Sequence, residues 1–93
     1  METKSHDWKV IKDELSILNP DDLNYSDLSE DMLQLSNSIF KIDAGWYEGI
    51  SSFIVYLLRN DDWENPIVKI TSYNLENCRR AIQLCIEYSK ELP

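Results

Sequence analysis

Apolar residues recur along this chain in three rhythms, and each rhythm predicts a different element. From Ser5 to Leu18, Trp8, Ile11, Leu15 and Leu18 fall at spacings of three, four and three. That is one stripe of an α-helix, and Pro20 stops it. Asp21 to Asp27 is polar, acidic and turn-like. Leu28, Met32, Leu35 and Ile39 again fit a helical stripe, with Ser26 or Ser29 available as cap. Residues 26–37 therefore read as a short helix or a loop.

From residue 40 the period falls to two. Phe40, Ile42, Ala44 and Trp46 alternate with Lys41, Asp43, Gly45 and Tyr47, and Glu48-Gly49 marks a turn. Phe53 to Leu58 is a continuous apolar, β-rich run, as expected of a central strand covered on both faces. Asn60 to Pro66 connects it to a strand at Ile67–Tyr73, with Val68 and Ile70 on one side and Lys69 and Thr71 on the other. Asn74 caps a last helix whose Leu75, Cys78, Ile82, Cys85 and Ser89 share one face.

The expected architecture is an α+β single domain over residues 1–93. It has an N-terminal helix, a three-stranded antiparallel β-meander, and a C-terminal helix packed on one face of the sheet. Short loops require antiparallel pairing, because parallel strands need long crossovers. A chain of 10.9 kDa supports one core, burying roughly 65% of its extended surface.

Composition narrows the compartment. No run of eighteen apolar residues exists, and the N-terminus lacks the apolar centre of a signal peptide. A cytoplasmic location is the expectation. Cys78 and Cys85, seven apart on a helix, would place their Cα atoms about 10.5 Å apart, too far for a disulfide. They read as buried, reduced thiols.

The search for chemistry yields little. His6 is the sole imidazole and lies near the terminus, so no Ser or Cys nucleophile has a ready base. Glu48 to Ser52 lacks the spacing of a nucleophile elbow. Asp22, Asn24 and Ser26 imitate the start of a calcium loop, but Asp27 and Leu33 stand where glycine and glutamate are required. No phosphate-cradling glycine motif is present. No catalytic residue, metal or cofactor is expected.

Charge carries more information. The net charge is −8, from seventeen acidic and nine basic residues. Direct binding of nucleic acid or of an anionic membrane is disfavoured, and a basic protein partner is favoured. The acids cluster at Asp21, Asp22, Asp27, Glu30 and Asp31, and again at Asp61, Asp62 and Glu64. Tyr47 beside Glu48, and Trp63 between Asp62 and Glu64, add the aromatic content typical of binding hot spots. These residues are the expected partner-binding set, whereas Trp46, in register with Phe40 and Ile42, reads as core.

Asp43-Ala44-Gly45-Trp46-Tyr47, Phe53-Ile54-Val55 and Asp62-Trp63-Glu64-Asn65-Pro66 together resemble the small immunity proteins of bacterial polymorphic and contact-dependent growth-inhibition toxin systems. The resemblance covers roughly residues 39–88. It implies a cytoplasmic protein that binds one cognate toxin domain, often a nuclease, and blocks it. It carries over no individual site residue. Two other readings stay open: a phage or plasmid nucleic-acid mimic that inhibits a DNA- or RNA-handling enzyme, and a structural homodimer or subunit using a sheet edge. A continuous acidic ridge would favour the mimic, acids around an aromatic patch the immunity protein, and an apolar exposed edge the homodimer.

Overall fold

The computed structural model describes residues 8–93. His6 and the start of the expected N-terminal helix lie outside the described residues. From Trp8 onward that stretch is not helical. Lys9–Asp13 forms a strand, β1, followed by an irregular connection with short 3-10 turns at Pro20–Asp22 and Tyr25–Asp27. Leu33–Ser36 is β2, Phe40–Tyr47 β3, Ser52–Arg59 β4 and Val68–Ser72 β5, and Leu75–Ser89 is the helix α1. All neighbouring strands pair antiparallel, in the order β1-β2-β3-β4-β5. The fold is α+β as expected, but the three-stranded meander is the C-terminal part of a five-stranded sheet, and no N-terminal helix is found among the described residues.

Both corrections have physical causes. β1 carries a bulge between Val10 and Lys12, so Ile11 breaks the period of two and its side chain is left half exposed. Leu15 is buried by a turn, not a helix: the Asp13 carboxylate accepts from the backbone N–H groups of Leu15 and Ser16. The helical spacing of Trp8, Ile11, Leu15 and Leu18 thus joins a bulged strand to a loop. In β2, Leu33 and Leu35 alternate with Gln34 and Ser36, a period of two confined to four residues. Residues 26–37 are accordingly a turn leading into a strand, and Met32 and Leu35 reach the core from extended backbone.

The rest follows the pattern. Phe40, Ile42, Ala44 and Trp46 of β3 lie opposite Arg59, Leu57, Val55 and Phe53 of β4, so they share one face. α1 packs on that face, against β3, β4 and β5. Its buried residues include Leu75, Cys78, Ile82, Cys85 and Ser89. The Asn74 side chain accepts from the backbone N–H of Asn77, as an N-cap should. β4 is buried on both faces, with Ile54 and Leu58 pointing away from the helix. At the β3–β4 turn the left-handed residue is Ser51, with φ 50°, and not Gly49. The other sheet face has no helix over it and alternates Lys, Asp, Gln and Tyr side chains with a few apolar ones.

Candidate functional site

The sheet has two ends, and the acidic residues divide between them. Asp13 pairs with Leu33 and Leu33 with Ala44, so the β1–β2 connection, residues 14–32, sits at the same end as the β3–β4 turn. This end collects Asp21, Asp22, Asp27, Glu30, Asp31, Tyr47 and Glu48 of the expected binding set. The β4–β5 connection, with Asp61, Asp62, Trp63 and Glu64, lies at the opposite end. The eight-residue strands β3 and β4 separate the two groups by roughly 23 Å at about 3.3 Å per residue. The acids Asp61, Asp62 and Glu64 therefore do not join Glu48 in one acidic patch.

At the acidic end the connection is held by specific bonds. Arg79 of α1 donates from Nη2 to the carbonyls of Leu15 and Leu18, both at 2.7 Å. Asn19 and Asn24 cap the two 3-10 turns by accepting from the N–H groups of Asp21 and Ser26. Tyr25 packs on Trp46 with ring centroids 4.7 Å apart, and Trp46 packs edge-on against Phe53. Trp46 also donates from Nε1 to Glu48 Oε1 at 2.8 Å, so its ring is core while its polar edge fixes the turn. Glu48 is thereby committed to structure as well as charge.

These anchors leave an open depression of about 410 Å³ in the connection. Leu18, Leu23, Leu28 and Met32 form its floor, and Glu14, Asp22 and Asp27 stand on its rim. Ile17 beside it is 81% exposed, the largest exposure among the bulky apolar side chains described. Glu14 is paired with Lys12 at 3.7 Å, and the apolar floor under the Asp22 and Asp27 carboxylates suits a lysine or arginine side chain, whose stem is apolar and whose head is cationic. A second depression of about 390 Å³, at the opposite end, is lined by both Lys41 and Asp61. Those two are paired at 2.6 Å, so its charge is neutralised from within.

Around the edge from the depression, Glu30 and Asp31 lead onto the helix-free face. There a row crosses all five strands: Lys12, Gln34, Asp43, Tyr56 and Lys69. Asp43 is only 5% exposed and accepts from Gln34 Nε2 at 3.0 Å. Burial raises its pKa, the Asp31 charge adds to this, and the Gln34 bond opposes it. Burial also pushes the Tyr47 phenol up to about 12, reinforced by Tyr56, Asp43, Glu30 and Asp31. Tyr47 is a neutral hydrogen-bonding group at physiological pH. Trp63 reaches back onto this face, edge-on to Tyr56 at 5.2 Å, and remains 47% exposed.

Several of these residues carried no sequence signal as a site. Leu18, Leu28 and Met32 fit helical stripes in the sequence, whereas Glu14, Ile17, Leu23 and Tyr25 have no pattern of their own. The place of Tyr25 on Trp46 depends on a long-range contact. Among the described residues no three His, Cys, Asp or Glu side chains converge as a metal site requires, and no helix is long and apolar enough to cross a membrane. No family model, curated protein or solved structure matches the chain.

Proposed function

We propose that this chain is a non-catalytic cytoplasmic binding protein that docks a basic protein domain on its acidic end. In that reading it is an immunity protein, and the domain it neutralises is a toxin, a nuclease by preference. One observation carries the proposal: the apolar depression rimmed by Glu14, Asp22 and Asp27, in the connection whose Tyr25 packs on Trp46. Basic nuclease domains present lysines and arginines to hold phosphates, and an acidic surface of this kind competes for them. The exposed carboxylates speed and orient the encounter, while the apolar floor supplies the desolvated contact that holds the complex.

The arrangement favours this reading over nucleic-acid mimicry. A mimic needs carboxylates in one continuous, phosphate-like ridge. Here the acids sit at two ends of the sheet, and Lys12, Lys41 and Lys69 lie on the helix-free face between them.

The experiment is co-expression in bacteria with the toxin domain encoded immediately upstream of the gene. Growth should be restored by the native chain and by Asp62→Asn/Glu64→Gln. It should fail with Asp22→Asn/Asp27→Asn, a variant of two exposed side chains whose fold is checked by circular dichroism. Restoration by all three would remove the acidic end from the mechanism, and restoration by none would remove the function.

A further inference from the structure

The two edges of the sheet are not equivalent. β1 is broken by its bulge at Ile11 and carries Lys9, Lys12 and Asp13 within five residues, devices that discourage pairing with another strand. β5 keeps an unbroken register with β4 over five pairs and carries one charge, Lys69. Alongside it runs an apolar groove of about 290 Å³ between Val68 and Ile70 of β5 and Leu84, Cys85 and Tyr88 of α1. Leu84 is 56% exposed and Tyr73, just beyond β5, is 77% exposed. Nothing about helix or strand stability requires either side chain to be so large and apolar.

Charge decides what covers this edge. Residues 65–93 hold Lys69, Arg79, Arg80 and Lys90 against Glu76, Glu87 and Glu91, a net of +1 in a chain of −8. Like-charge repulsion opposes self-association through residues 13–64, which carry twelve acids against Lys41 and Arg59, and is weak here. We infer that β5 and α1 form a two-fold interface with a second copy of this chain, joining two five-stranded sheets edge to edge.

The register follows from the sequence. With Ile70 opposite Ile70 of the second copy, Lys69 faces Thr71 and no lysine meets its own copy. Tyr73 then lies opposite Ile67 of the second copy, which accounts for its exposure. The two grooves merge into one apolar seam lined by Val68, Ile70, Leu84 and Tyr88 from both copies. The two-fold also makes the helices antiparallel about Leu84, placing Arg80, four residues before it, near Glu87, three residues after it. An isologous interface of this kind closes on itself and does not propagate into fibres. It leaves the acidic connection of each copy free, so dimerisation and partner docking are independent.

Sedimentation equilibrium across a concentration series tests this, with the native chain and three variants. The native chain should reach twice its 10.9 kDa mass. Leu84→Glu, on the solvent side of α1, and Tyr73→Ser, outside any element, should each raise the dimer dissociation constant at least about tenfold. Val10→Glu on the β1 edge should leave it unchanged. Amides of residues 68–72 should become more protected from hydrogen exchange as concentration rises. Circular dichroism of each variant separates loss of pairing from loss of fold, and Tyr73→Ser stands in should Leu84→Glu unfold. A monomer at every concentration, or a dimer broken by Val10→Glu but not by the other two, would overturn the inference.

Discussion

Asp43 and Gly45 are neighbours on the helix-free face of β3, and each states a physical cost that its surroundings impose. Burying a carboxylate with one amide donor favours its protonated form, so the native state holds the Asp43 proton more tightly than the unfolded chain does. Stability attributable to this group therefore falls as pH rises from the unfolded value near 3.8 through the raised native pKa. Asp43→Asn keeps an oxygen to accept from Gln34 and removes the charge. It should raise Tm at pH 7 and flatten the pH dependence above pH 4, measured by thermal melts across pH 4 to 8. An unchanged or lower Tm at pH 7 would show that the ionised carboxylate is fully compensated. Asp13 runs the other way. Slight burial pushes its pKa up, but the Ser16 and Leu15 amides and Arg79 outweigh this and leave it lowered. Its contribution is present above the unfolded value and lost as pH falls through the native one. At Gly45 the constraint is steric. A Cβ there would fall on the Glu30 carbonyl, because residues 29–32 cross over β3 with Trp46 N–H donating to Ser29 and Met32 N–H to Ala44. Backbone cannot yield as a side chain can. Gly45→Ala should cost about 2 to 3 kcal/mol in chemical denaturation. A change below about 0.5 kcal/mol would mean that the crossing segment moves freely.

Among the elements, legibility in the sequence tracked the length of the periodic run. The eight residues of β3, the buried run of β4, and α1 with its Asn74 cap all read directly, because each repeats its signal several times. β1 and β2 did not. Five residues with a bulge at Ile11, and four residues holding Leu33 and Leu35, are too short to outweigh the accidental helical spacing of their flanks. The candidate site suffered the same way. Its acids were visible as a cluster, but the apolar floor from Leu18 to Met32 exists only because the connection folds back on α1. That fold-back hangs on Arg79, whose guanidinium satisfies two carbonyls in a segment without regular structure. Charge-assisted bonds of this kind are worth about 1.5 to 3 kcal/mol each. Arg79→Met, which keeps the stem but loses both bonds, should destabilise the domain by about 3 kcal/mol or more. Hydrogen exchange should accelerate in residues 14–28 more than in β3 or β4. Equal acceleration everywhere would show that Arg79 supports the whole core and does not act as a local clasp.

Over the whole molecule, the separation of the acids to the two ends of β3 and β4 makes electrostatics a local property. Two pairs of acids allow this to be tested at constant net charge. Asp22→Asn/Asp27→Asn and Asp62→Asn/Glu64→Gln both change −8 to −6. The pairs sit at opposite ends of strands roughly 23 Å long. The screening length at physiological ionic strength is about 8 Å, so a partner approaching one end scarcely senses the other. Stopped-flow association with the basic toxin domain proposed as partner should therefore slow about tenfold for the first pair and stay within about twofold for the second. At low salt, where the screening length grows to about 30 Å at 0.01 M, the difference should narrow as the distant pair begins to contribute. Equal slowing by both pairs at physiological salt would mean that the partner feels only the net charge, and the acidic end would lose its claim as the docking surface.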